Sequence, residues 1–150
     1  MPQPKFIPEP GQVDFTNIRY CPVTNCILIH EDKILLVRRS SQLRLYPGYW
    51  NGVSGFLDDN KSVEEKVRQE ISEELGYKDE DITSINRGKV LVQESEEYKK
   101  TWIVFPVLVS VNKKQVKLDW EASDHKWLDT HAALKLKLLP GFKEVINQFF

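Results

Sequence analysis

Three glutamates, Glu70, Glu73 and Glu74, lie close together in the stretch QEISEELGY. At about 100° per residue they share an arc of about 100° on one helical face, beside the apolar stripe of Val63, Val67, Ile71 and Leu75. Hard carboxylate oxygens gathered in this way suit Mg²⁺ or Mn²⁺, which would neutralise them and take phosphate oxygens as further ligands. The same pattern on an exposed helix reads as a solvated acidic face, since like charges four apart cost only about 0.2–0.5 kcal/mol. Both readings stay open on these residues alone. Cations stand upstream. Arg38 and Arg39 follow the apolar run ILLV, and Arg44 lies in the polar link beyond it, near Tyr46, Tyr49 and Trp50. Guanidinium groups offer phosphates a fork of donors, and the aromatic rings offer a base or sugar a wall, although rings of this size serve cores just as well.

The glutamates need a helix, and the sequence marks both of its ends. Ser62 followed by Glu65 forms a capping box, so the helix starts at Val63. Gly76 is the residue type that closes a helix in a left-handed cap, so it stops after Leu75. Two β-prone segments, residues 23–29 and 33–39, flank the polar pair Glu31 and Asp32 and read as a hairpin that delivers Arg38 and Arg39 at its end. Trp50, Val53 and Phe56 lead into the glutamate helix as a further strand. Beyond it come a charged turn at residues 79–81, strands at 88–93 and 101–111, and shorter ones at 116–120 and 126–128. Pro106 argues for an edge or a bulge, because proline cannot donate to a ladder. Asp129 or Thr130 caps a helix over residues 132–139, Pro140 and Gly141 break it, and Phe142, Val145, Ile146 and Phe149 stripe a last helix.

Gly55, Glu70, Ile71, the pair Glu73 and Glu74, and Gly76 before Tyr77 resemble the box of the Nudix hydrolase family. Two positions depart from it: Lys61 stands where the family usually has glutamate, and Gln69 where it has arginine. Arg68 is adjacent but points about 100° away and is no substitute. The resemblance covers roughly residues 20–150 and implies an α/β fold, an α/β/α sandwich around a mixed β-sheet, preceded by a proline-rich arm over residues 1–19. It implies Mg²⁺ or Mn²⁺ held by Glu70, Glu73 and Glu74 with backbone carbonyls at Ser54 and Gly55. Arg39 matches a position where such domains carry an arginine near the phosphates. Glu121, six residues before Trp127, matches an acidic residue that can serve as base, and Asp124 a second acidic preference. The activity implied is hydrolysis of a diphosphate linkage in a nucleoside diphosphate joined to another group, with Glu121, a box glutamate or one of Glu94, Glu96 and Glu97 accepting the proton of water. The two departures also raise a nucleotide-binding domain with weak or no turnover. Isopentenyl diphosphate isomerase, which shares the fold class, expects a catalytic cysteine in a motif that neither Cys21 nor Cys26 occupies. Messenger RNA decapping would call for a basic tract.

The 150 residues, 41% hydrophobic and 29% charged, suit one domain with a single core. A net charge of −1 favours neither nucleic acid duplexes nor acidic membranes. No apolar run has the length of a membrane span, and residues 1–20 lack a signal-peptide layout, so a cytoplasmic location is expected. Cys21 and Cys26 read as small core residues, and His30, His125 and His131 as scattered surface or turn residues. The arm, with Pro2, Pro4, Pro8 and Pro10, is extended; it folds back through Phe6, Ile7, Val13 and Phe15 or packs on a partner chain, which allows a homodimer.

Overall fold

The computed structural model describes residues 3–150. The hairpin forms where the sequence puts it: β1 (Tyr20–His30) and β2 (Lys33–Arg39) pair antiparallel across Glu31 and Asp32, whose φ values of 47° and 67° give the left-handed pair that a tight hairpin needs. The two strands pair only near that turn, at Ile29↔Ile34 and His30↔Lys33. Farther along, β1 takes β4 (Val53–Phe56) as its partner and β2 takes β3 (Trp50–Asn51). On its other edge β1 runs parallel to β7 (Lys100–Val111), which makes the sheet mixed. β5 (Ile82–Arg87) and β6 (Leu91–Ser95) share the far edge of β7, and β8 (Ala122–Leu128) covers β2.

Pro106 lies within β7, an interior strand, and not at an edge. It falls between the stretch of β7 paired with β5, which ends at Arg87↔Val107, and the stretch paired with β6, which begins at Leu91↔Val104. Its carbonyl accepts from the Gly88 amide at 2.8 Å, so its missing N–H faces the β5–β6 connection, where no ladder bond is lost.

The helix α1 (Val63–Leu75) has the expected bounds, with both bonds of the Ser62–Glu65 capping box formed and Gly76 at φ 79°. Its stripe of Val63, Val67, Ile71 and Leu75 packs against Cys26, Leu28, Leu35, Val37, Val107 and Val109 on one sheet face. The opposite face packs Ile27, Ile34, Leu36, Trp50 and Trp102 against Ala133 of α2 (Thr130–Ala133) and Phe142, Val145 and Ile146 of α3 (Phe142–Asn147). The layers are thus α/β/α. Both cysteines are buried and free.

Three expectations need correction. Residues 116–120 form no strand: the Lys117 and Asp119 amides donate to the carbonyls of Leu75 and Glu74, at 3.0 and 3.2 Å, and so complete the C-terminal end of α1. The helix expected over 132–139 is a single turn capped by Asp129, after which Leu138 bridges to Trp50 and the Leu139 amide donates to the Trp50 carbonyl. β5 follows the turn at 79–81 directly, over residues for which no strand is expected, and the strand expected at 88–93 begins only at Leu91.

Residues 3–19 carry neither helix nor strand and fold back over the chain. The Val13 amide donates to the Asp58 carbonyl at 2.7 Å, Phe15 stacks on Phe56 with centroids 5.7 Å apart, and buried Lys100 donates to the carbonyls of Phe15, Thr16 and Ile18. Among the described residues no helix is long and apolar enough to cross a membrane.

Candidate active site

Glu70, Glu73 and Glu74 face a cleft of about 670 Å³ that runs from α1 to the returning N-terminal segment. Gly55, at the turn-ward half of β4, lies directly beneath Glu70. A Cβ built at Gly55 would stand 2.6 Å from Glu70 Cδ, so only glycine lets the carboxylate lie on the backbone. Glu121 and Asp119 enter from the segment before β8, and Arg39 from the end of β2.

Burial drives the electrostatics here. It pushes the Glu70 carboxyl up to about 8, with the Glu73 charge adding to the effect and Lys66 opposing it. Glu74 is raised well above the usual carboxylate range, first by burial, then by a hydrogen bond with the Glu121 carboxyl, and then by the charges of Glu121 and Glu70. That bond requires one of the two carboxyls to carry the proton. Burial also raises Asp119. Arg39 is lowered by burial, against the pull of Glu121 and Glu74. Its Nε donates to the Leu45 carbonyl at 3.0 Å, which fixes the guanidinium beside these acids.

Mg²⁺ or Mn²⁺ fits this donor set. The oxygens are hard ligands, and the carboxyls are raised by burial and by one another's charge, which a cation would relieve. Among the described residues no three His, Cys, Asp or Glu side chains surround one point. Glu70, Glu73 and Glu74 thus line one cleft without converging on a single point.

Other expected residues separate. Arg44 lines the cleft. Arg38 is exposed, with Nε donating to the Gly48 carbonyl at 3.3 Å, and Trp50 is buried in the opposite core with Lys126 over its ring at 5.3 Å. Neither borders the cleft. Asp124 faces Arg38 across β8 and β2. Glu94 and Glu96 are held by Arg19 at 3.1 and 3.5 Å, whereas Tyr98 of the same acidic loop turns inward. The aromatic wall consists of Phe15, Phe56, Tyr98, Trp102 and Tyr46, joined by Trp102 Nε1 donating to Tyr46 Oη at 3.0 Å and the Tyr46 amide donating to Tyr98 Oη at 2.9 Å. Sequence reasoning passed over Asp119 and Asp58. The acid-aromatic-acid run Asp119-Trp120-Glu121 and the pair Asp58-Asp59 just after Gly55 were the available signals.

This fold and this glutamate cluster define a Nudix-type hydrolase. Residues 19–149 match the NUDIX domain, so the chain belongs to the Nudix family and is an enzyme of that type. Members generally cleave pyrophosphate linkages in nucleoside diphosphate derivatives with a divalent metal. Among curated relatives, the uncharacterized Nudix hydrolase YvcI of Bacillus subtilis is 25% identical over 130 residues, covering 83% of this chain and 76% of its own. The MutT NUDIX hydrolase of Burkholderia pseudomallei superposes with a TM-score of 0.72 at 17% identity, covering 88% of this chain and 99% of its own. The NUDIX domain of Shewanella oneidensis NrtR, solved with ADP ribose, superposes with a TM-score of 0.67 at 19% identity, covering 87% and 84%.

Proposed function

We propose that the chain hydrolyses the diphosphate linkage of a nucleoside diphosphate joined to a second group. The observation that carries this reading is one cleft whose lining combines Glu70, Glu73, Glu74 and Glu121 with the aromatic wall and with Arg39 and Arg44. A substrate with anionic phosphates and a flat base spans those two chemistries. The ADP ribose bound by the NrtR domain is a compound of that class.

In this reading Glu70, Glu73 and Glu74, with the Gly55 carbonyl, hold the Mg²⁺ or Mn²⁺. When bound, the ion supplies Lewis-acid polarisation of a phosphoryl oxygen and acidifies water. Arg39, fixed by the Leu45 carbonyl, offsets charge on the phosphates without having to reorganise. Glu121, which lines the cleft beside Glu74 and Arg39, accepts the proton of the attacking water. Burial of Glu70 and Glu74 strengthens the charge interactions they make in the cleft. The base rests on Tyr98 and Trp102, whose positions are locked through Tyr46.

The test is product analysis after incubation with Mg²⁺ or Mn²⁺ and a panel of nucleotide sugars, ADP ribose, dinucleoside polyphosphates, coenzyme A and nucleoside triphosphates. A nucleoside monophosphate and the phosphorylated second group are the expected products. Turnover that releases only inorganic phosphate and leaves a nucleoside diphosphate would overturn the proposed bond cleavage.

A further inference from the structure

We propose that Lys66 is a positioning residue for the metal-binding face, acting through Asp58 and Asp59 to pin residues 55–59 against α1; this rests on the metal-site reading above. Lys66 belongs to the buried side of α1 and is only 3% exposed. An ammonium so placed is strongly unfavourable unless it is paired with good geometry. Its Nζ donates to Asp58 Oδ1 at 3.1 Å and Asp59 Oδ2 at 2.9 Å, and both aspartates belong to the loop between β4 and α1.

Lys66 stands one helical turn before Glu70, and the Glu70 carboxylate rests on Gly55, three residues before Asp58. The connection from β4 to α1 is therefore fastened to the helix at two successive turns, once from the loop by the ion pairs and once from the end of β4 by the Gly55–Glu70 contact. Gly55 stays paired with Thr24 of β1, so loosening the first fastening lets α1 and its Glu70 carboxylate shift against Gly55, which separates a carboxylate from a backbone carbonyl meant for one ion. Asp58 has no freedom to compensate. It is 8% exposed, its second carboxylate oxygen accepts from Gln12 Nε2 at 2.8 Å, and its carbonyl accepts from the Val13 amide.

The residues at the two altered box positions do not perform this task. Lys61 pairs with Asp59 at 3.2 Å, but both belong to the loop. Gln69 Nε2 donates to Glu73 Oε1 at 3.0 Å, within the helix, and its own Oε1 is buried without a partner. Lys66 crosses from helix to loop where these two do not.

The experiment is a Mn²⁺ titration of the substrate-free protein followed by electron paramagnetic resonance, with melting recorded in parallel. Because Lys66→Met alone strands two carboxylates and can unfold the chain, the informative variant is Lys66→Met/Asp58→Asn/Asp59→Asn, which removes all three charges together. We expect this variant to melt cooperatively and to bind Mn²⁺ about 10–100-fold more weakly, as losses of outer-shell support generally do. Lys66→Arg, which keeps the charge, is expected to retain affinity within about threefold. A folded triple variant that binds Mn²⁺ within about twofold of wild type would overturn the proposal. Wild type that binds no Mn²⁺ would overturn the metal-site reading itself.

Discussion

The Glu70 carboxylate occupies the space that a side chain on Gly55 would need, with 2.6 Å between its Cδ and the nearest added carbon. Gly55 is thus part of the binding geometry through the atom it lacks. Gly55→Ala should move the end of the Glu70 side chain, which is flexible, and leave the backbone in place. The expected outcome is a loss of about tenfold or more in kcat/KM with a small change in melting temperature, the usual pattern for misplaced ligands in a preserved fold. Unchanged kinetics would show that Glu70 does not need this position.

The raised Glu70 carboxyl makes a pH prediction. Its folded value is about 8 against an ordinary 4.5, so the folded chain binds more protons than the unfolded chain between those limits. The stabilising contribution is complete below pH 4.5 and is lost as pH rises through about 8, and Glu74 shifts in the same direction. The melting temperature of the metal-free protein should therefore fall across that interval. Mg²⁺ should raise it more at about pH 8 than at about pH 6, because cation binding must displace the proton. A metal-free midpoint that climbs over this range would contradict the assignment.

Lys100 ties the N-terminal segment down through three backbone carbonyls, those of Phe15, Thr16 and Ile18. Lys100→Met removes a charged donor from all three, and a loss of about 2–4 kcal/mol is expected in urea denaturation. Limited proteolysis should cut residues 3–18 faster in the variant. A change below about 0.5 kcal/mol with unaltered proteolysis would mean that the segment is held by its other contacts.

Tyr98 forms part of the aromatic wall and accepts a hydrogen bond from the Tyr46 amide. Tyr98→Ala should raise KM by about tenfold, the worth of one lost ring stack, and change kcat less, since the ring is remote from the glutamates in function. An equal fall in kcat at constant KM would argue against a binding role.

The glutamate helix was legible in the sequence to the residue, because its start and stop depend on local chemistry: the Ser62–Glu65 box and the left-handed Gly76. The β1–β2 turn was legible for the same reason, and the mixed sheet followed from the family resemblance. β5 was missed because ITSINR is a partly exposed strand with little apolar alternation, and its pairing with β7 is set by tertiary contact. Residues 116–120 read as a strand from their alternation, yet their amides serve the end of α1, a demand visible only in three dimensions. In the site, the box glutamates and Arg39 line one cleft, whereas Arg38 and Trp50 differ from Arg39 and Tyr46 only in the direction the chain gives them. The Lys66 bridge was hidden because a lysine in an acidic helix reads as a surface charge until its burial is seen.

The most direct test of the account is the Mg²⁺ dependence of turnover on the best substrate of the panel, measured for wild type, Glu73→Gln and Glu74→Gln. Turnover that requires the metal and falls by about 100-fold or more in both variants is the predicted result, in the range seen when acid-base groups are lost. Metal-independent turnover, or activity retained in both variants, would contradict the assignment of this face as the catalytic centre. If nothing turns over while calorimetry detects nucleotide binding, the cleft is a recognition site.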